Sequence, residues 1–234
     1  MPTRRDFLRA LLGAAASPAA LLAQRPRGDV RVLQIGVRLP EAGAVARGAQ
    51  LGLEEANRTA QLLAVVLRRA ATSGEILVGL TAPGQAVDVP LLVAGPPEVL
   101  PRPARPNVFR VAASPQARER ALARYPGKGL RVMDWHPLLE RFGADQLNQR
   151  FHRRFGRSMD ESAWRGWIAV KIATEAALAS PPGASMKPLD RLRVQGFDGH
   201  KGMPLRFDPQ NHYLIQPLYL VDPKGRLVEE VAPE

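Results

Sequence analysis

Few residues in this chain have the type and spacing to do chemistry, and they are scattered. The four histidines, His136, His152, His200 and His212, lack the close spacings that let imidazoles share one metal ion. His200 and His212 flank a stretch that reads as a hairpin, and with Asp198 they are the one combination a metal would find; solvated turn histidines are the simpler reading. Asp134 and His136 are two apart on an extended segment, where alternate residues point the same way. That is the spacing of a carboxylate orienting an imidazole, but no nucleophile accompanies it. No Gly-x-Ser-x-Gly elbow, His-Glu-x-x-His helix or phosphate-cradling loop is present. The chain has no cysteine, which removes thiol catalysis, iron–sulfur ligation, disulfides and a lipoprotein anchor. The expectation is a protein without catalytic residues, without a metal and without a cofactor.

Residues suited to binding are better represented. Trp164 and Trp167 are three apart, on one face of a helix. They read either as a platform for a planar ligand or as core packing, and Lys171 lies one turn beyond. Arg110 sits at a strand end in Asn107-Val108-Phe109-Arg110-Val111-Ala112, where a guanidinium can grip a carboxylate with two parallel hydrogen bonds. Glu41, in the loop after the first strand, suits a ligand ammonium. With Gly95 after a later strand and Trp135 beside Asp134, the candidate ligand contacts are Glu41, Gly95, Arg110, Trp135, Trp164 and Trp167.

The elements that must position them alternate between strand and helix in the first half. Val30 to Leu39 is β-branched and apolar and stops at Pro40, so it reads as a strand. The alanines and leucines from Ala44 to Ala56 repeat with helical period. Strands are expected at Leu62–Leu67, Ile76–Leu80, Val87–Ala94, Val108–Val111 and Leu130–Met133, and the proline-dense stretch 95–106 reads as loop. Ser114-Pro115 starts a helix to about Arg124, with Ser as cap and Pro in the first helical position. Further helices are expected from Pro137 to Phe155, ending at Gly156, and from Met159 to Ser180. The tail from Leu192 to Val228 reads as short strands and turns. This pattern predicts an α/β fold with a parallel sheet and flanking helices, whose ligands bind outside the carboxyl ends of the strands. The loops at Pro40–Val45 and Gly95–Val99 would form that floor.

The first 23 residues read as a leader. Thr3-Arg4-Arg5-Asp6-Phe7-Leu8-Arg9 pairs two arginines ahead of an uncharged, Ala- and Leu-rich run to Ala23. Roughly 14 apolar residues are too few to cross a bilayer core of about 30 Å, so the segment predicts a cleaved signal rather than a stable anchor. The twin arginines resemble the consensus of the twin-arginine pathway, which implies export of the folded chain to the periplasm. The whole chain carries a net charge of +11. That balance favours anionic small molecules, while arginines dispersed rather than clustered with aromatics argue against nucleic acid.

Read in order, several segments resemble the type I periplasmic solute-binding proteins of the branched-chain amino-acid-binding kind. They are IGVRLPEAGAVARGAQLGLEEAN, VPLLVAGPPE with NVFRVAASPQARERALARY, LNQRFHRRFGRSMDESAWRGWIAVKIATEAAL, and the closing VQGFDGHKGMPLRFDPQNHYLIQPLYLVDPKGRLV. DWHP, the two-tryptophan helix and KGMPLRF are similar to members encoded with pyrroloquinoline-quinone-dependent alcohol dehydrogenases. The resemblance implies a first α/β lobe over 24–134, and a helical pair with C-terminal hairpins over 135–234 as a much reduced second lobe. It implies a small acidic or alcohol-derived ligand, and an ABC permease or a quinoprotein dehydrogenase as partner. An accessory module for an exported redox enzyme is the other role it allows. Where that family's amino-acid binders carry hydroxyl side chains, this chain has Gly95-Pro96-Pro97.

Overall fold

The computed structural model describes residues 31–70, 73–80, 88–97, 105–126 and 129–233; the leader lies outside them. The chain runs β1 (Arg31–Arg38), α1 (Ala44–Leu62), β2 (Val65–Ala70), β3 (Ile76–Gly79), β4 (Leu91–Val93), β5 (Val108–Arg110), α2 (Pro115–Ala123) and β6 (Arg131–Met133). After a short 3-10 turn at Arg141–Gly143 come α3 (Ala144–Phe155), α4 (Glu161–Leu178), α5 (Pro188–Val194) and strands β7 (Phe197–Asp198), β8 (Pro204–Phe207), β9 (Leu214–Ile215), β10 (Leu218–Val221) and β11 (Leu227–Val231).

The main sheet has the order β2-β1-β3-β4-β5, with β1–β3, β3–β4 and β4–β5 parallel. Strand order therefore reverses direction between β1 and β3. Strands β3, β4 and β5 are buried throughout, as strands covered on both faces must be. Strand β1 instead alternates: Leu33, Ile35 and Val37 face the core while Val32, Gln34 and Arg38 are exposed.

Gly36 breaks that alternation for a local reason. The link from β2 to β3 crosses the outer face of β1, because the two strands lie on opposite sides of it. A β-carbon on Gly36 would stand 2.8 Å from the Ser73 carbonyl oxygen, and one on Gly74 would stand 2.6 Å from the Gly36 nitrogen. Glu75 N–H then joins the ladder by donating to Gln34 O at 2.8 Å. The two glycines thus let residues 73–75 run in close contact with β1 as they enter β3.

The inner face of the sheet carries α1 and α4. Buried Gly48, Gly52, Ala56 and Ala60 recur every four residues on α1, making one stripe of small side chains. On α4, Gly166 meets that helix so closely that an added β-carbon would lie 2.1 Å from Val45 O. Asp160 caps α4 by accepting from Ala163 N–H at 2.8 Å, and the helix is buried on nearly every side. Ser114 caps α2 in the expected way, accepting from Ala117 N–H at 3.1 Å. The remaining strands form two small antiparallel sheets, β11-β10-β6 and β7-β8-β9.

Three elements differ from expectation. Helix α1 runs on to Leu62, and the strand expected from there begins at Val65, past a left-handed Ala64 (φ 55). The helix expected from Pro137 begins at Ala144 instead, because Phe142 (φ 58) and Gly143 (φ 81) are both left-handed. Phe142 lies over Gly202, where a β-carbon would meet its ring at 2.5 Å, so a tertiary contact sets that break. Helix α5 falls at the edge of what reads as a strand-and-turn tail.

Candidate ligand site

The carboxyl ends of the parallel strands open onto the loop after β1, Leu80 after β3, Ala94-Gly95 after β4 and Val111–Ser114 after β5. Glu41 is exposed in the first of these loops. The helix that follows begins at Gly43 (φ 111) with no side-chain cap and no acidic residue in its first turn. Its first N–H groups are thus not met by a capping side chain, the arrangement that favours an anion at a helix start. Gly95 is buried, and a β-carbon there would stand 2.2 Å from Leu80 O. Its place in the floor is fixed by this close approach of two strand ends.

Beside β5 the floor ends in a cluster of charges. Asp134, fully buried just past β6, accepts from Ala113 N–H at 3.2 Å and from Arg118 at 2.8 Å. Arg118 also donates to Val132 O at 3.0 Å and to Glu161 at 2.9 Å. Glu161 accepts from the Asp134 N–H at 2.7 Å and pairs with Arg165 at 3.0 Å. Burial raises the pKa of Asp134 against the pull of Arg118. Burial also opposes ionisation of Glu161, but Arg165 and Arg118 outweigh it and hold that carboxyl low.

Lys201 closes the cluster from the hairpin side. Its buried ammonium donates to Asp134 O, to Gln216 Oε1 at 2.6 Å and to Pro217 O at 3.1 Å. It also lies 4.2 Å from the Trp164 ring centre and 5.0 Å from that of Tyr219. Burial pushes its pKa down to about 7. Three acceptors converge on it, however, and only the ammonium supplies three N–H donors. Gln216 passes the connection on by donating to Val111 O at 2.9 Å. One network thus joins the end of β5, α2, β6, the start of α4 and the turn before β10.

The other candidates from the sequence do not gather at the mouth. Trp135, Trp164 and Trp167 are all buried in the core. Trp135 stacks on Trp164 with centroids 5.7 Å apart and donates to Asn148 at 3.0 Å. Trp167 donates to Glu55 at 2.8 Å and stacks on His200. Packing, the second of the two readings of the tryptophan pair, is where these indoles sit. Arg110 is buried and turned toward Tyr213 and Asn211 O rather than the strand mouth, and burial lowers its pKa.

Asp134 and His136 take separate partners. His136 Nδ1 accepts from Leu138 N–H at 3.2 Å, so Nε2 carries the proton and donates to Gly225 O at 2.9 Å. His200 and His212 do not meet: His212 stacks on Phe109 with centroids 4.6 Å apart. Among the described residues no three His, Cys, Asp or Glu side chains converge, and no helix is long and apolar enough to cross a membrane.

Sequence reasoning misses Arg118, Glu161 and Arg165, and reaches Lys201 only as the first residue of KGMPLRF. Charged side chains are almost never fully buried unless paired, so each reads as solvated. The faint signal was Lys201 itself, in a hairpin two residues past Gly199 and directly before Gly202.

This architecture, a parallel sheet with a 2-1-3-4-5 order and helices, is the fold of the periplasmic binding proteins of type I. Three solved structures illustrate the likeness. An ABC transporter substrate-binding protein from Sphaerobacter thermophilus is 12% identical with a TM-score of 0.63, covering 87% of this chain and 98% of that one. The branched-chain amino acid transporter substrate-binding protein of Streptococcus pneumoniae, in complex with isoleucine, is 11% identical with a TM-score of 0.62, covering 86% and 99%. A solute-binding protein of an ABC transporter from R. palustris, in complex with benzoate, is 14% identical with a TM-score of 0.56, covering 87% and 98%. At such identities the likeness speaks to fold. No protein-family model matches the chain, and no curated protein matches it by sequence.

Proposed function

We propose that this protein is a non-catalytic, extracytoplasmic solute-binding protein whose ligand site is the strand mouth between Glu41 and Gly95. The observation that carries the reading is the reversal of strand order between β1 and β3, the place where open parallel sheets take their ligands, beside an α1 start with no side-chain cap. Uncapped N–H groups and a basic chain suit a carboxylate, and Glu41 suits an ammonium. The neighbours in fold that hold isoleucine or benzoate make amino acids and aromatic carboxylates the first ligands to try. On this reading 24–134 supplies the sheet lobe and 135–234 a reduced second lobe, with β6 lent to the latter. Residues 1–23 send the chain out by the twin-arginine route, and an ABC permease or a quinoprotein dehydrogenase receives the ligand. Thermal-shift screening with amino acids, short alcohols, carboxylates and pyrroloquinoline quinone tests it. A saturable rise in Tm with one class supports the proposal; no shift in a folded preparation contradicts it.

A second reading has its own observation. A groove beside α3 encloses about 300 Å³, it does not reach Glu41 or Gly95, and the end of β5 is occupied by the charge cluster. That is the lower limit of ordinary ligand pockets. An accessory module that docks on an exported redox enzyme, with no small ligand, follows from it. Stoichiometric co-purification of a dehydrogenase with the tagged chain, together with a flat thermal-shift screen, would favour this reading.

A further inference from the structure

Among the described residues β2 is the terminal strand of the main sheet, and none of them forms a strand along its outer side. On the outer face of β1 beside it, Val32 and Gln34 are exposed. Two large apolar side chains are exposed where α1 leads into β2, Leu62 at 88% and Leu63 at 58%, and two more on these strands, Val32 at 44% and Val66 at 42%. Arg68 and Arg69 follow on the same strand, both exposed. Neither forms an ion pair with another described residue.

Parallel sheets of this kind are ordinarily covered on both faces. We propose that the β2 edge, with the outer face of β1 beside it, docks an extended acidic segment of a partner protein, which adds to the sheet as a strand beyond β2. The free strand edge selects an extended backbone, Val66 with Leu62 and Leu63 selects apolar side chains at alternate positions, and the two arginines select acidic ones. A second copy of this chain fits less well. Pairing β2 with itself would bring four arginines onto one short strand pair, and like charges close together across a pair destabilise it. The proposal is independent of the ligand reading, since the strand mouth and the sheet edge are different surfaces.

The test titrates the labelled mature chain with two synthetic strand peptides, one alternating Val with Glu and one alternating Val with Lys. Anionic vesicles and the chain's own self-association serve as further arms. The acidic peptide is expected to bind with amide shifts confined to β2 and β1, and to weaken roughly tenfold when salt is raised past the screening range. The double variant Arg68→Glu/Arg69→Glu is expected to reverse the preference toward the basic peptide. Val66→Pro, which takes one backbone donor out of β2, is expected to weaken binding of both peptides. Should that variant unfold, the charge reversal alone decides. Binding of neither peptide, equal binding of both, shifts elsewhere, vesicle binding without peptide binding, or a dimer lost in the charge-reversed chain would each overturn the proposal.

Discussion

Helix α4 is held at two junctions built from opposite materials. Along its length it meets α1 through glycine: Gly48 lies where a β-carbon would be 1.7 Å from Ala163 O, and Gly166 makes the reciprocal approach to Val45 O. At its start, Glu161 and Arg165 enter a cluster with Arg118, Asp134 and Lys201. The first junction is dry and depends on shape; the second depends on every charge having its partner. A helix packed by shape tolerates chemistry but not volume, whereas a buried cluster tolerates volume but not the loss of one member.

The largest effect is expected from the cluster. Glu161→Ala leaves Arg118 and Arg165 facing each other in a largely buried site, at a cost of about 3–5 kcal/mol, measured by urea unfolding. Gly166→Leu comes next, at about 3 kcal/mol, near the upper range for overpacking. If Gly166→Leu is tolerated, the helices can slide and the junction is not fixed by shape.

Lys201→Met should cost about 2 kcal/mol by stranding buried acceptors, and it sharpens the comparison through pH. A folded-state pKa of about 7, below the ordinary 10.5, means the unfolded chain binds more protons between those values. Wild-type stability should then rise with pH from 7 to 10.5 relative to the Met variant, and fall relative to it as pH drops toward 7. Parallel pH profiles would show that the three acceptors keep the ammonium charged. The smallest effects lie outside both junctions. Ser114→Ala, which removes the α2 cap, should cost about 1 kcal/mol. Arg154→Ala, which breaks an exposed pair with Glu54, should cost well under about 1 kcal/mol.

The shape junction was legible in the sequence only as a helix: the period from Ala44 to Ala56 predicts α1, but not the stripe of Gly48, Gly52, Ala56 and Ala60 that α4 packs on. The charge junction was not legible, because its five members come from four segments and only Glu161 and Arg165, one helical turn apart, are local to each other. Ser114-Pro115 and Gly156 marked helix ends correctly, since caps are local chemistry. The break at Phe142 escaped, since a contact with Gly202, sixty residues on, imposes it. For the proposed site, the loops after β1 and β4 follow from the alternation of strands with helices and the binding of ligands at strand carboxyl ends. The burial of Arg110 and the three tryptophans depends on what α4 and the hairpins cover.

The central claim, that the strand mouth is the ligand site, is tested most directly by residue-resolved amide NMR during titration with amino acids and carboxylates. Saturable shifts concentrated at 39–46 and 94–97, weakened in Glu41→Gln for ammonium-bearing ligands, are the predicted result. Shifts confined to the groove beside α3, or no shifts with any ligand, would contradict it.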